Sequence, residues 1–564
     1  MRQFMSWKIL FLATASSSMA LAAPPDAGST MGSLPAAPKP ADMATQPQPP
    51  SRDHDHQTAD ASTKVRVEAI SITGNTLFKD AELRPLVRGY VGKTVTSADL
   101  RAAAMSVQNY YRDHGYFLTN AQVVPKTDSP GRVEIRVVEW VLGSKQILVA
   151  ADAPLQPSLA QAYFSNVDPG NPLEQSALER AILNLRNVPA TKVHTAIRPG
   201  TSLGKADAHI TVSRSKPVFG GSLRVDNWGN RNTGRARGIL DLQSRGLFGL
   251  GEVIDLTGVL AQSHNTEFGR LSVQAPVGSQ GTSVGVSYSE LNYGVGRDFK
   301  PLRADGLGDS ISASVAHPLY LTRHASLYLG AGVENKHGND RQQGKTVEQE
   351  RSVDNASVSL SGHYQGADAD GVYHGFEATL TRGDNEIKTL SSMLADQAPG
   401  GLRTAGKFTK ISGKYLISKP IRGKGYLVVS LRGQTANRNL DPLERTSLGG
   451  PMGVRAFPVS VGFGDQVLLS TVEYRHFLPA FSPMGGSLYW NNFWDYGYVK
   501  INRYNYPGMP DNNMKLSGIG TGLSLDKADD YSLKVDMAGR LGGDHYRDDD
   551  SRDIRVWMSG TKFF

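Results

Sequence analysis

The sequence predicts an α+β periplasmic portion of two small modules, each in β-α-α-β-β order, followed by an all-β, 16-stranded antiparallel transmembrane barrel. Three observations predict it. Helical patterning with a 3.6-residue period stops near residue 216, and strict alternation of apolar with small polar residues runs from there to the end of the 564-residue chain. The connections between the alternating stretches switch between short and long, as in barrels with turns on one side of a membrane and loops on the other. The chain also opens with an export signal, yet it has no run of about 18 apolar residues that could cross a membrane as a helix.

Residues 1–22 read as a secretory signal peptide. Arg2 and Lys8 supply the positive start, Ile9 to Ala15 the short apolar run, and Ala20-Leu21-Ala22 an A-x-A cleavage site. The absence of cysteine excludes disulfides, thiolate metal clusters and lipid anchorage through an N-terminal Cys. A formal net charge of +8 is scattered along the chain, and with the export signal it argues against a nucleic-acid partner. Residues 23–64 are rich in Pro, Ala, Ser and Thr and poor in large apolar groups, so a disordered linker without a periodic helix is expected. His54-Asp55-His56 has metal-binding residue types, but a flexible tether offers neither a fixed fourth ligand nor a supporting shell, and no metal is expected there.

The first module spans 65–141. Val65, Val67, Ile70 and Ile72 lead to the turn Gly74-Asn75, and Thr96 with Asp99 three residues on forms a capping box. Leu100, Ala103, Ala104, Val107 and Tyr111 line one helical face, which Gly115 ends. Strands follow near 121–124 and 133–140. The second module, 142–216, repeats the order: a strand at Lys145 to Val149, a short helix at Ser158 to Phe164, and a helix with Pro172 expected at its first position. Leu178, Ile182 and Leu185 mark its buried stripe, and strands near 192–197 and 206–212 close it. A repeat of this size implies two stacked copies of one unit.

The barrel occupies 217–564. Thr282, Val284, Val286 and Tyr288 alternate with Ser283, Gly285, Ser287 and Ser289, and the same split recurs in 355–364 and 427–434. Short links are expected near 246–251, 277–281, 365–371, 419–423, 478–485 and 526–530. Long ones are expected near 291–308, 336–351, 383–402, 436–464, 498–513 and 542–552. The length accommodates sixteen strands at about 22 residues per strand and connection. A spanning sheet must close, because an edge strand in hydrocarbon would leave its N–H and C=O groups unpaired.

Within the long link 436–464, three glycines and a proline (Gly449, Gly450, Pro451 and Gly453) lead into Val454-Arg455-Ala456-Phe457, the composition of a sharply turned backbone presenting one charge. Phe493-Trp494-Asp495-Tyr496-Gly497 supplies a carboxylate in a similar setting after the next strand. These segments resemble the Val-Arg-Gly-Tyr/Phe tip of the sixth extracellular loop and the Phe-x-Asp-x-Gly motif of strand 13 in the two-partner secretion transporters of haemolysin secretion/activation type, within the outer-membrane assembly superfamily. Ala456 stands where that family has Gly. Val225-Asp226-Asn227-Trp228-Gly229 with Thr233-Gly234, and Gly246-Leu247-Phe248-Gly249-Leu250-Gly251-Glu252, are similar to two further family runs. The modules resemble polypeptide-transport-associated (POTRA) domains, with Gly115-Tyr116 and Glu139-Trp140 carrying the likeness. The terminal Phe564 resembles the signal read by the outer-membrane barrel assembly machinery, although Lys562 departs from it.

The resemblance implies an outer-membrane pore whose loop 436–464 folds into the lumen. There Arg455 meets Asp495, with Val454, Phe457, Phe493 and Gly497 around the pair. Exposed sheet edges of the POTRA modules would catch an unfolded exoprotein, haemolysin-like or adhesin-like, for passage to the surface, with activation of that partner left open. Outer-membrane lipid and the assembly machinery are the other expected partners. No nucleophile elbow, H-E-x-x-H, P-loop or His–acid cluster is present, so neither enzyme chemistry nor a cofactor is expected. The alternatives are a barrel-insertion factor of the same superfamily and, from another class, a passive porin or adhesin.

Overall fold

The computed structural model describes residues 24–36 and 64–564, apart from 126–130, 173, 203, 263–264, 344–346, 367–370, 422–423, 480, 507–511 and 544–552. The expected signal peptide and His54-Asp55-His56 lie outside the described residues. The linker expectation is corrected over 24–36, where Ala27–Met31 form a short helix inside the barrel. Asp26 accepts from Ser29 N at 2.7 Å while Ser29 Oγ accepts from Asp26 N at 3.0 Å. Five residues carry no readable period, and so short a helix is held by its caps and its surroundings rather than by propensity.

In the first module β1 (Lys64–Arg66) pairs apart with β3 (Thr94–Thr96), and the main sheet joins β2 (Ala69–Thr73), β5 (Arg132–Val138) and β4 (Asn120–Pro125) in the order β2-β5-β4. Helices Asp80–Val87 and Ser97–Asp113 cover it. Thr96 and Asp99 form the capping box of the second, and Leu100, Ala103, Ala104, Val107 and Tyr111 are its buried stripe. Burial, with a hydrogen bond from its hydroxyl to Glu139 at 2.6 Å, pushes the Tyr111 phenol far above its ordinary pKa. The second module repeats the topology with β6 (Val141–Val149), β8 (Lys205–Arg214) and β7 (Thr191–Pro199) in the order β6-β8-β7, the first pair parallel and the second antiparallel. Its long helix is Gln175–Arg186 with Glu174 as N-cap, so Pro172 precedes the helix and instead bridges to Val141.

The barrel closes through sixteen strands: β9 (Phe219–Asp226), β10 (Arg237–Arg245), β11 (Val253–Ala261), β12 (Thr266–Val277), β13 (Thr282–Gly294), β14 (Asp305–Leu321), β15 (Ala325–Gln342), β16 (Val347–Gln365), β17 (Tyr373–Ile387), β18 (Gly406–Ile421), β19 (Gly425–Ala436), β20 (Gln466–Phe477), β21 (Ser487–Lys500), β22 (Asn513–Lys527), β23 (Tyr531–Gly543) and β24 (Ile554–Phe563). Val286, Ile311, Val333, Val358, Leu380 and Ile411, one from each of β13 to β18, are all more than half exposed and form part of the lipid-facing band. The long link expected at 336–351 is mostly strand, because β15 and β16 stay paired up to Gln342 opposite Val347. The 383–402 link carries a helix, Leu390–Gln397.

Two junctions matter for function. The barrel closes where β9 meets β24, a ladder that runs only from Asp226 opposite Ser559 to Ser222 opposite Phe563. Beyond it the Asn227 side chain imitates a strand, donating to Val556 O at 2.9 Å and accepting from Met558 N at 2.8 Å. The second junction seats the second module on the turn between β10 and β11. Gln156 N donates to Gly249 O at 2.8 Å, Gly251 N to Pro154 O at 2.9 Å, and Arg214 Nη1 to Arg245 O at 2.7 Å. Glu252 ties the same turn by accepting from Phe248 N and Leu250 N. Gly251 has φ +71°, and a Cβ there would lie 2.5 Å from Val188 Cγ1. Gly251→Val should therefore cost about 1–3 kcal/mol of local strain. The expected result is faster tryptic cleavage at Arg214 between module and barrel, with the barrel itself still resistant to digestion.

Candidate functional site

The chain between β19 and β20 turns into the lumen. Asp441 caps the turn Pro442–Glu444, accepting from Leu443 N at 3.0 Å, and a bridge between Thr446 and Gly464 closes the neck. Beyond the neck Val454 N donates to Leu448 O at 2.7 Å and Gly450 N to Phe457 O at 3.1 Å, which folds the tip into a compact turn. Gly453 is required there, since a Cβ would sit 1.9 Å from Leu448 O. Ala456 is not among the residues with positive φ, so its backbone does not need glycine. Room for its methyl comes from Gly518 on β22, where a Cβ would lie 2.6 Å from Ala456 Cβ.

Arg455, 4% exposed, is brought to Asp495, 0% exposed. Its Nε donates to Asp495 Oδ2 and its Nη2 to Oδ1, both at 2.9 Å, and its backbone N–H adds a third bond at 3.1 Å. Nη1 reaches Glu473 Oε2 on β20 at 2.7 Å and lies 3.5 Å from Asp536 Oδ2 on β23. The guanidinium also stacks on Phe493, 3.2 Å from the ring centroid, and Trp557 Nε1 donates to Arg455 O at 2.7 Å. A two-toothed, charge-assisted contact of this kind fixes orientation as well as energy. Residues 493, 495 and 497 alternate along β21 and all face inward. Their parts differ. Phe493 stacks, Asp495 pairs, and Gly497 leaves space for Leu448 and Val454, each of which would come within 3.0 Å of a Cβ at that position. Val454 and Phe457 are buried, and Arg540 lies 4.8 Å over the Phe457 ring.

A second set of anchors holds the base of the loop on the other side of the barrel. Glu444 accepts from Lys336 Nζ at 2.9 Å, Lys410 Nζ at 2.5 Å and Asn355 Nδ2 at 2.8 Å. Arg351 Nε donates to Asp441 Oδ1 at 3.0 Å and its Nη2 to Asp340 Oδ2 at 2.5 Å. Asp340 in turn accepts from Tyr293 Oη and, at 3.0 Å, from Ala27 N at the start of the N-terminal helix. Gly28 packs so closely on the loop that a Cβ would be 2.2 Å from Pro442 C. Helix and loop thus share Arg351 and Asp340. None of Asp441, Glu444, Lys336, Arg351 and Lys410 stands out in the sequence, since each is an ordinary polar residue in a polar lumen pattern.

The remaining residues singled out in the sequence sit elsewhere. Phe564 is exposed at the barrel seam, exchanging backbone bonds with Gly221 at 2.9 and 3.1 Å. The sheet edges of the modules are β2 and β4 in the first, β6 and β7 in the second. Among the described residues no three His, Asp or Glu side chains converge as metal ligands. What the inner arrangement can do chemically is hold the lumen partly filled by two segments fastened with ion pairs. Such a fastening has defined geometry and can be exchanged for water.

Known proteins share this architecture. Residues 204–525 match the family described as haemolysin secretion/activation protein ShlB/FhaC/HecB, and residues 65–139 match the ShlB-type POTRA domain. The heme/hemopexin transporter protein HuxB of Haemophilus influenzae (strain 86-028NP) is 26% identical over 486 residues, covering 86% of this chain and 84% of that protein. The outer membrane transporter CdiB of Dickeya dadantii (strain 3937) is 23% identical over 397 residues, 69% of this chain and 68% of that one. The solved structure of CdiB from Escherichia coli has the same fold, with a TM-score of 0.71 at 20% identity, over 93% of this chain and 95% of that chain. With its POTRA modules in the periplasm and its sixteen strands in the outer membrane, the chain belongs to the haemolysin secretion/activation protein (ShlB/FhaC/HecB) family of two-partner secretion transporters.

Proposed function

We propose that the chain receives one unfolded exoprotein in the periplasm, pairs an extended segment of it with a POTRA sheet edge, and passes it through the barrel lumen to the cell surface. Strand addition suits an unfolded client, because main-chain hydrogen bonds supply affinity without demanding a particular sequence. The relatives' names point to a client of haemolysin-like or haem-related type. Arg455 and Asp495 hold the loop tip against the β20–β23 wall, with Val454, Phe457, Phe493 and Gly497 shaping its seat. The loop base and the N-terminal helix fill the lumen until a client arrives. The sequence carries no P-loop, and the family's usual account, in which the client folds outside and cannot slip back, supplies the direction of transport.

The observation that carries this reading is the second module seated directly on the periplasmic turns of a barrel whose lumen is occupied by its own segments. A pore for passive diffusion has no use for such a module. Deleting residues 65–216 is the test. The truncated barrel should still insert and show heat-modifiable migration, while surface display of the exoprotein falls to below about a tenth of the full-length level. Unchanged display would overturn the reading in favour of a porin. Loss of other outer-membrane barrels in place of the exoprotein would favour an insertion factor.

A further inference from the structure

The lumen is unevenly filled. The loop tip covers the wall made by β20 to β23, where Leu448, Val454, Ala456 and Phe457 are buried together with Asp495 and Phe493. On the β11–β12 side the inward Thr257, Ser272 and Gln274 are also buried. By contrast, two cavities remain: one of about 510 Å3 along β15 to β20, and one of about 590 Å3 between β17 to β19, the loop, residues 29–36 and Arg224 and Arg237 of β9 and β10. Both are lined by Glu377, Lys414 and Arg432, and both reach Met452. Met452 sits at the turn of the loop and is 67% exposed. The first cavity continues along Tyr328, His363 and Tyr373.

The chemistry of this side suits a sliding, extended chain. Inward serines at 361 and 430 offer weak, interchangeable hydrogen bonds, and Tyr373 offers a face for transient stacking. Lys414 is paired with Glu377 at 3.4 Å. Arg432 has no carboxylate partner among the described residues and leaves a net positive charge where the two cavities meet.

We infer that the β15–β19 side of the lumen is the guide wall along which the exported polypeptide travels, with Arg432, which like Met452 lines both cavities, favouring acidic segments. This rests on the transport reading above and adds to it the side of the pore and the charge preference.

The test uses the purified full-length chain in planar bilayers, with a 40-residue unstructured peptide of Glu, Ser and Gly added on the POTRA side. Transient blockades of the current are counted for the natural chain, for Arg432→Glu and for Gln243→Glu. Gln243, on β10, lines neither cavity. Arg432→Glu should reduce blockade frequency by about tenfold or more through like-charge repulsion, and Gln243→Glu by less than about twofold. A cysteine placed at Tyr373 is a second measure, clean because the chain has no other cysteine. Its modification by a bulky thiol reagent should lower the open current, whereas modification of Gln243→Cys should not. Equal or reversed effects at positions 432 and 243, or no blockade at all with the natural chain, would overturn the guide wall. Failure of the transport reading would show separately, as absence of surface display by cells carrying the unaltered chain.

Discussion

Arg455→Ala should leave an assembled, heat-modifiable barrel in the outer membrane and lower export of the exoprotein by about tenfold or more. The physical ground is what the truncation leaves behind. Glu473 keeps Arg475 at 2.7 Å and Asp536 keeps Lys534 at 3.0 Å, but Asp495 keeps among its side-chain partners only the Thr471 hydroxyl at 3.0 Å. A fully buried carboxylate stripped of its cation costs about 3–5 kcal/mol, which is roughly two to four orders of magnitude in the population of the seated loop. A released tip would swing into the open side of the lumen, where Met452 already stands, and obstruct the passage. Asp495→Ala should behave alike, since Arg455 keeps Glu473 at 2.7 Å but loses both teeth of its fork and the bond to its backbone N–H. Arg455→Lys keeps the charge and loses the forked geometry, so an intermediate rate is expected. Surface display measured by protease shaving decides the matter: normal export by Arg455→Ala would mean that the pair has no part in transport.

Arg351→Ala should have the opposite effect on current. Arg351 is 1% exposed and bridges Asp340, which holds the N-terminal helix, to Asp441, which holds the loop base. Removing it strips two neighbouring buried carboxylates of their shared cation and leaves Asp441 the Leu443 N–H and Asp340 the Tyr293 hydroxyl and the Ala27 N–H, again at about 3–5 kcal/mol. Even 3 kcal/mol is about a hundredfold in a two-state population, enough to turn a helix that is almost always seated into one that is often absent. Single-channel recordings should show long open periods, and the N-terminal segment should become accessible to protease. Arg351→Ala channels as quiet as those of the natural chain would show that the two segments are held independently of this residue.

How much of this could be read in advance follows from how local the signal is. The sixteen strands were legible because alternation is written into consecutive residues, and closure follows from the membrane. Arg455 and Asp495 were legible because glycines and aromatics around each make a compositional island, and a family resemblance links the two. The base of the loop was not. Arg351 and Asp441, or Lys336 and Glu444, are far apart in sequence, and each alone is one polar residue among many facing the lumen. The N-terminal helix was hidden for another reason: beyond its own cap it depends on Asp340 and Pro442, which are far away in sequence. Pro172 misled because Pro is equally at home just before a helix and at its first turn. The span 336–351 misled because a polar hairpin above the membrane alternates weakly and reads as loop.

The seam between β9 and β24 has a kinetic meaning. Val225 and Gly560 are neighbours in space but stand almost the full length of the barrel sequence apart, so their pairing has the highest contact order in the fold and the largest loop-closure entropy. Until it forms, two edge strands stay open in hydrocarbon, a state that favours mispairing with other chains. The short ladder offers little enthalpy to pull that step forward. Spontaneous folding in lipid should therefore stall at this last step, and a catalyst that shelters both ends would accelerate biogenesis far more than it could alter the stability of the finished cylinder.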